Sequence, residues 1–197
     1  MPWTTLTTLN GAHARLEPLG QEHCAALAEA VRDGELWRLW HTHAPEPGEM
    51  AAEIDRRLAL REAGSMAPFA VIEVETGAPV GMTTFMNIYR TAPRVEIGAT
   101  WYRASAQRGP INTECKFMLL RHAFETLGCI AVEFRTHRFN RASRRAIERL
   151  GAKLDGVLRN HTRMRDGTLR DTCVYSIIAG EWPAVRSHLT WQMERPR

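Results

Sequence analysis

Lysine is almost missing from this chain of 197 residues: Lys116 and Lys153 are the only two among 26 basic side chains, so the cationic character is carried by arginine. Arginine presents a planar fork of donors that matches phosphate and carboxylate, so where the arginines stand says more than the net charge of +4. Cysteine is scarce as well. Cys24, Cys115, Cys129 and Cys173 lie far apart, with no C-x-x-C pair and no histidine at zinc-ligand spacing. This points to free, buried thiols in a reducing compartment and away from a disulfide scaffold or a metal site. No run approaches the ~20 apolar residues of a membrane span. The opening Met-Pro-Trp-Thr-Thr-Leu-Thr-Thr lacks the basic start and apolar centre of a secretory signal, so a cytoplasmic protein is expected. Neither a G-x-S-x-G elbow nor a Walker loop occurs, which removes the commonest hydrolase and nucleoside-triphosphatase readings. Internal repeats and low-complexity segments are also lacking.

What is present fits one globular domain spanning residues 1–197, with 44% hydrophobic and 24% charged residues. Charge is unevenly spread. From Arg135 to Arg170 there are eleven basic and three acidic residues, whereas residues 1–134 carry a net −4. Such a block is either a solvated arginine face or a site for a phosphorylated ligand or nucleic acid.

The periodicity predicts a short strand at Ala14–Leu19, an amphipathic helix at Gln21–Val31 and a second at Glu49–Ala63. Between the helices, Trp37–His43 is an aromatic-rich loop or bent helix. Phe69–Val74, Val80–Met86 and Val95–Trp101 read as an antiparallel meander, with Thr76-Gly77-Ala78-Pro79 as the first turn. A long helix follows from Asn112 to Thr126, with Phe117, Leu120, Phe124 and Leu127 as its buried stripe. Then come a strand at Ile130–Thr136, a helix at Asn140–Leu150, and strands at Lys153–Leu158 and Asp171–Ile178. This is an α+β or mixed α/β plan with a parallel strand pair in its second half.

Several segments resemble a known family in order and spacing: Val95-Glu-Ile-Gly98, Ile111–Glu125, Asn140-Arg-Ala-Ser143, Glu148-Arg-Leu-Gly-Ala152, Arg170–Ser176 and Glu181-Trp-Pro183. Together they resemble the GNAT N-acetyltransferases, and more narrowly the ribosomal-protein-alanine (RimJ/RimL-like) branch. The resemblance implies a mixed central sheet of about seven strands flanked by helices, with the fourth and fifth strands splayed to admit acetyl-CoA. It also implies acetyl-CoA as co-substrate, no metal, and a homodimer as the family expectation.

In that family the loop before the long helix offers backbone N–H groups to the CoA pyrophosphate, as any helix N-terminus offers unpaired donors to an anion. The matching residues are Gln107, Arg108, Gly109, Ile111, Asn112 and Thr113. Pro110 and Asn112 depart from the family signature. Proline supplies no N–H, so one donor is lost, and a plain rigid connection with Pro near a helix start is the competing reading. Thr100, Trp101 and Tyr102 would offer main-chain groups to pantetheine, while Asn140 and Arg145 would face the cofactor. Arg144 and Arg145 are phosphate-binding or simply solvated.

Acetyl transfer to an amine requires a base for the ammonium proton, a polarised thioester carbonyl and a proton for the departing thiolate. Period-two alternation puts Glu96 opposite Val95 and Ile97, facing either solvent or a cleft; the resemblance, whose members often carry an acidic residue in this E-I-G position, implies the cleft and makes Glu96 the expected base. The branch pattern implies that Ser143 protonates the thiolate, the alternative being that Asn140 is an ordinary N-cap and Ser143 a polar first-turn residue. His41, His43, Trp37, Trp40 and Met86 are candidates for an acceptor pocket or for core packing. The expected activity is direct transfer of acetyl from acetyl-CoA, in a ternary complex, to a primary amine of a protein N-terminus, peptide or small molecule. Transfer of another acyl group such as succinyl is the nearest alternative. A non-catalytic CoA-binding, RNA- or ribosome-associated module is the alternative from another class, although a phosphate-rich cofactor explains the arginine block better than nucleic acid does.

Overall fold

The apolar run Met66–Glu73 is buried on both faces, as a strand covered by helices on either side must be. It forms β3 of an eight-stranded sheet in the computed structural model, which describes residues 7–195. Most of the opening segment read above for a leader therefore lies outside the described residues. The other strands are β1 (Leu9–Asn10), β2 (Ala14–Pro18), β4 (Pro79–Tyr89), β5 (Arg94–Tyr102), β6 (Ala131–His137), β7 (Lys153–Arg163) and β8 (Leu169–Ile178). Their order is β1-β2-β3-β4-β5-β6-β8-β7. Every neighbouring pair is antiparallel except β5 with β6. That parallel pair joins the meander to the second half of the chain, through the helical crossover that parallel strands need.

Helices α1 (Cys24–Arg32) and α2 (Met50–Glu62) cover one face of β3, β4 and β5. Helices α3 (Ile111–Arg121), α4 (Arg141–Arg149) and α5 (Trp182–Glu194) cover the other. The apolar stripe of α2 runs through Ile54 and Leu58, with Met50 buried one turn earlier, but the fully buried position between Ile54 and Leu58 is Arg57.

The α3 stripe needs correction. Cys115, Met118, Leu119, Leu120 and Ala123 are its buried residues, while Phe117, Phe124 and Leu127 sit at the core margin. The reason is α5, whose Trp182 packs against Phe117 and stacks on Phe124, so the helix is covered on two sides. The predicted continuous helix to Thr126 also widens into a π-turn at His122–Thr126. All four cysteines are free, and Cys115, Cys129 and Cys173 are buried. No helix among the described residues is long and apolar enough to cross a membrane.

Candidate active site

The two parallel strands pair only through Arg94↔Ala131, Val95↔Val132 and Glu96↔Glu133. Beyond that point β5 continues to Tyr102 and β6 to His137 with no ladder between them, leaving two backbone edges facing a gap. With the two-residue β1 counted, the expected fork lies between the fifth and sixth strands. β5 also carries a bulge: Met82 pairs with Trp101 and Thr84 with Gly98, so Ala99 and Thr100 both stand opposite Thr83. Ala99 takes a left-handed conformation, φ 44°.

Two buried cations grip this bulge from opposite faces. From α2, Arg57 donates through Nη2 to the Ala99 carbonyl at 3.1 Å and through Nε to Glu53 at 2.7 Å. Burial works to raise the Glu53 carboxyl, but hydrogen bonds and charge from Arg56 and Arg57 outweigh it and hold the pKa at about 2. From α3, Lys116 donates to Thr100 Oγ1 at 2.8 Å and to Thr83 Oγ1 at 3.2 Å. No carboxylate pairs with it among the described residues, and burial pushes its pKa down to about 8 from the ordinary 10.5.

This makes a stability prediction. Below about pH 8 the folded protein carries the full cost of a charged amine in its core; between there and 10.5 the folded state sheds a proton that the unfolded state keeps, so stability rises with pH. Lys116→Met should therefore stabilise the protein at pH 7 by about 1–3 kcal/mol. Denaturant midpoints should show that gain fading as pH rises past 8. An equal loss at every pH would mean that the amine's hydrogen bonds outweigh its desolvation.

Glu96 lies at the crotch of the fork, 5% exposed, on the α2 side of the sheet. Its carboxylate folds over Gly98: a Cβ there would stand 2.9 Å from Glu96 Oε1 and from Met86 Sδ. Asn87, at φ 48°, donates through Nδ2 to Glu96 Oε2 at 2.7 Å, and Arg135 Nε lies 3.4 Å from the same oxygen. Burial lifts the Glu96 pKa above the ordinary carboxylate value, with the Asn87 hydrogen bond and the Arg135 charge pulling it partly back. Next to it Glu133 accepts from Arg94 and, at 2.9 Å, from Arg135 Nη2.

On the other side of the sheet, Pro110 is the N-cap of α3, and no protein acceptor meets the N–H groups of Ile111, Asn112 and Thr113 among the described residues. Arg108 is exposed at φ 62°, and a Cβ at Gly109 would meet only the Ala106 carbonyl oxygen, at 3.7 Å. Gln107 donates to the Tyr102 carbonyl at 2.9 Å, tying this loop to the end of β5. Trp101 and Tyr102 bury their rings on opposite faces of the sheet, so their main chain, with that of Thr100, is what the gap sees. A CoA-like group fits here, with two unpaired strand edges for an amide-bearing chain and a helix N-terminus for its phosphates.

Asn140 is the N-cap of α4, its Oδ1 accepting from Ser143 N–H at 3.0 Å. The Ser143 hydroxyl has no protein partner among the described residues, and Arg145 is exposed. Ser143 and Glu96 do not touch: α4 packs on the α3 side of the sheet, while Glu96 faces the α2 side. Arg144 is committed elsewhere, donating to Tyr175 Oη at 2.9 Å, and Arg149 donates to Thr113 Oγ1.

Of the acceptor-pocket candidates, Trp37 packs into the α1–α2 core and Met86 abuts Gly98 beside Glu96. Trp40 is exposed, edge-on to His137 at 5.0 Å and tilted to Phe139 at 5.9 Å. His41 stands edge-on to Trp40, while His43 meets the guanidinium of Arg165 at the tip of the β7–β8 hairpin. The sequence reading did not pick out Asn87, Arg135, Glu133, Lys116 or His137. The polar side chains of Glu133, Arg135 and His137 recur with period two inside a buried strand, a signal available from the sequence.

Comparison with known proteins bears on the fold. The family model described as "Acetyltransferase (GNAT) domain" matches residues 13–153. A GCN5-related N-acetyltransferase from Brucella melitensis superposes with TM-score 0.85 at 29% identity, covering 95% of this chain and 85% of that one. A putative acetyltransferase from T. thermophilus gives 0.82 at 33% identity, covering 95% and 97%. Mycobacterium smegmatis RimJ, solved in complex with CoA-disulfide, shares the fold at 22% identity, with TM-score 0.82 and 96% of each chain covered. No curated protein sequence matches significantly.

Proposed function

The chain belongs to the GNAT acetyltransferase family, and from that premise we propose that its single domain moves an acetyl group from acetyl-CoA to a primary amine of a peptide, protein N-terminus or small molecule. The observation that carries this reading is a buried carboxylate, Glu96, at the point where β5 and β6 part. The N–H groups of Ile111, Asn112 and Thr113, on the other side of the sheet, meet no protein acceptor among the described residues. Cofactor and acceptor then approach the gap from opposite faces.

Bound in the gap, acetyl-CoA supplies the activated carbonyl. The bare edges of Thr100–Tyr102 and β6 hold its pantetheine, and the Gln107–Thr113 turn, with Arg108, Asn140 and Arg145, receives its phosphates. Glu96 takes the ammonium proton, directly or through water, and the freed amine forms the new N–C bond as the C–S bond breaks. Ser143, whose hydroxyl has no protein partner among the described residues, delivers a proton to the sulfur and is reprotonated by the second proton that the nitrogen loses as the amide forms. No covalent enzyme intermediate is required, so the rate depends largely on holding the two reactants in register. We read the enzyme as cytoplasmic, with peptide or protein amines among its acceptors.

Calorimetric titration with acetyl-CoA and succinyl-CoA, followed by amine-dependent CoA release, tests the reading. Acetyl-CoA should bind and turn over in preference to succinyl-CoA. Absence of acyl-CoA binding at millimolar concentration overturns it.

A further inference from the structure

Arg170 stands at the start of β8, on the same side of the sheet as Glu96, and its surroundings set it apart from the arginines near it. Arg94 and Arg135 both pair with Glu133, and Arg138 and Arg159 both pair with Asp171. Arg170 is half-buried and has no carboxylate within ion-pair distance among the described residues. Its Nε donates to Thr172 Oγ1 at 2.9 Å, and the same hydroxyl meets His161 Nδ1 at 3.1 Å, so the guanidinium stem is held in one orientation. Its terminal amino groups have no protein acceptor among the described residues.

The placement is informative. Cross-strand pairs put Ser176, Val174 and Thr172 beside Glu133, Arg135 and His137, so the β8 side chains on this face run alongside the Glu96–Glu133 row. Arg170 is the next residue on that face. It is close enough to Glu96 and to His137 to bias the ionisation of both. The facing aromatic wall is Trp40, His137 and Phe139; the His137 Nδ1 accepts the Phe139 N–H at 3.0 Å, and burial, with the charge of Arg170, lowers the His137 pKa. A fixed, partly desolvated guanidinium with both terminal amino groups unpaired among the described residues is suited to receive a carboxylate.

We propose that Arg170 is an acceptor-binding residue that pairs with a carboxylate placed next to the reacting amine, so that the preferred acceptors are amines with an acidic neighbour. The inference rests on the acetyltransferase reading above. Two sources share the chemistry: a free α-amino acid, whose own carboxylate would reach Arg170, and a peptide whose second residue is Asp or Glu.

The test compares kcat/KM within two pairs of acceptors: a peptide with an acidic second residue against its neutral counterpart, and a free amino acid against its amide. Wild-type enzyme should favour the acidic member of at least one pair by about tenfold or more, the scale of a hydrogen-bonded charge pair. The pair that shows the preference identifies the source. Arg170→Gln should collapse that ratio, and Arg170→Lys should keep part of it. A ratio near one in the wild type, or an equal fall for both members in Arg170→Gln, overturns the proposal, since a merely structural arginine lowers both alike. Binding of the N-acetylated acidic peptide in the presence of CoA gives a readout without turnover. Arg170-dependent product binding with no transfer to any amine would uphold the anion site while overturning the catalytic reading. Equal binding to wild type and Arg170→Gln would overturn the anion site alone.

Discussion

Glu96→Gln is expected to lower kcat by about 10²–10³-fold while acetyl-CoA still binds, because general-base catalysis contributes on that scale. The substitution keeps shape and a carbonyl oxygen for Asn87 Nδ2, which donates to the carboxylate at 2.7 Å, so the crotch of the fork should stay intact. What disappears is the site for the ammonium proton. The sign of the pH dependence follows from the same surroundings. Glu96 must be ionised to act, and burial raises its pKa above the ordinary carboxylate value. Turnover should therefore fall, as pH drops, at a higher pH than an exposed glutamate would give. Arg135 pulls the pKa down, so Arg135→Gln should move that acid limb further up. Rates measured across pH for the three proteins check both claims. Unchanged turnover in Glu96→Gln removes the residue from the base role.

The largest stability effect is expected at Glu114, a residue in the first turn of α3 that looks like an ordinary surface acid in the sequence. It is 8% exposed, and its carboxylate accepts the backbone N–H groups of Ala12, His13 and Ala14 at 2.7, 2.8 and 2.7 Å. One side chain thus satisfies the whole turn between β1 and β2 and fastens it to the helix that opens onto the gap. Gly11 belongs to the same arrangement, since a Cβ there would stand 2.5 Å from the Glu114 carboxyl carbon. Glu114→Ala leaves three donors without an acceptor, and a cost of about 3 kcal/mol or more is expected. Chemical denaturation measures it. A loss below about 1 kcal/mol, the worth of one ordinary hydrogen bond, would mean that water replaces the carboxylate freely.

Much of the architecture was legible because its signals are local. Runs of β-branched and aromatic residues marked β3 to β6, 3/4 spacing marked α1 and α2, and Gly128 and Gly151, both of which take positive φ, marked helix ends. The missing pieces depended on partners distant in sequence. Helix α5 was not foreseen, and its absence misplaced the α3 stripe, because only Trp182 packed on Phe124 explains why that ring lies at the margin. Arg57 sits where a helical wheel asks for an apolar residue; Glu53, one turn earlier, is its local partner, and the Ala99 carbonyl across the core is the one that the helix alone does not reveal. At the candidate site, the position of Glu96 followed from strand parity. Its hydrogen-bonding environment did not, since Asn87 and Arg135 come from a strand end and a neighbouring strand brought in by the fold.

The bulge at Ala99 changes how β5 has to be counted. Before it, the odd residues Val95 and Ile97 face α3 and the even residues Glu96 and Gly98 face α2; after it, Thr100 and Tyr102 face α3 and Trp101 faces the α1–α2 core. The extra residue acts as a phase shift. Without it, Glu96 and Thr100 would share a face, and the carboxylate and the Lys116-bound hydroxyl would compete for one side of the sheet. A gapless alignment with a relative whose strand lacks the bulge would therefore match functional positions correctly on one side of Ala99 and invert them on the other.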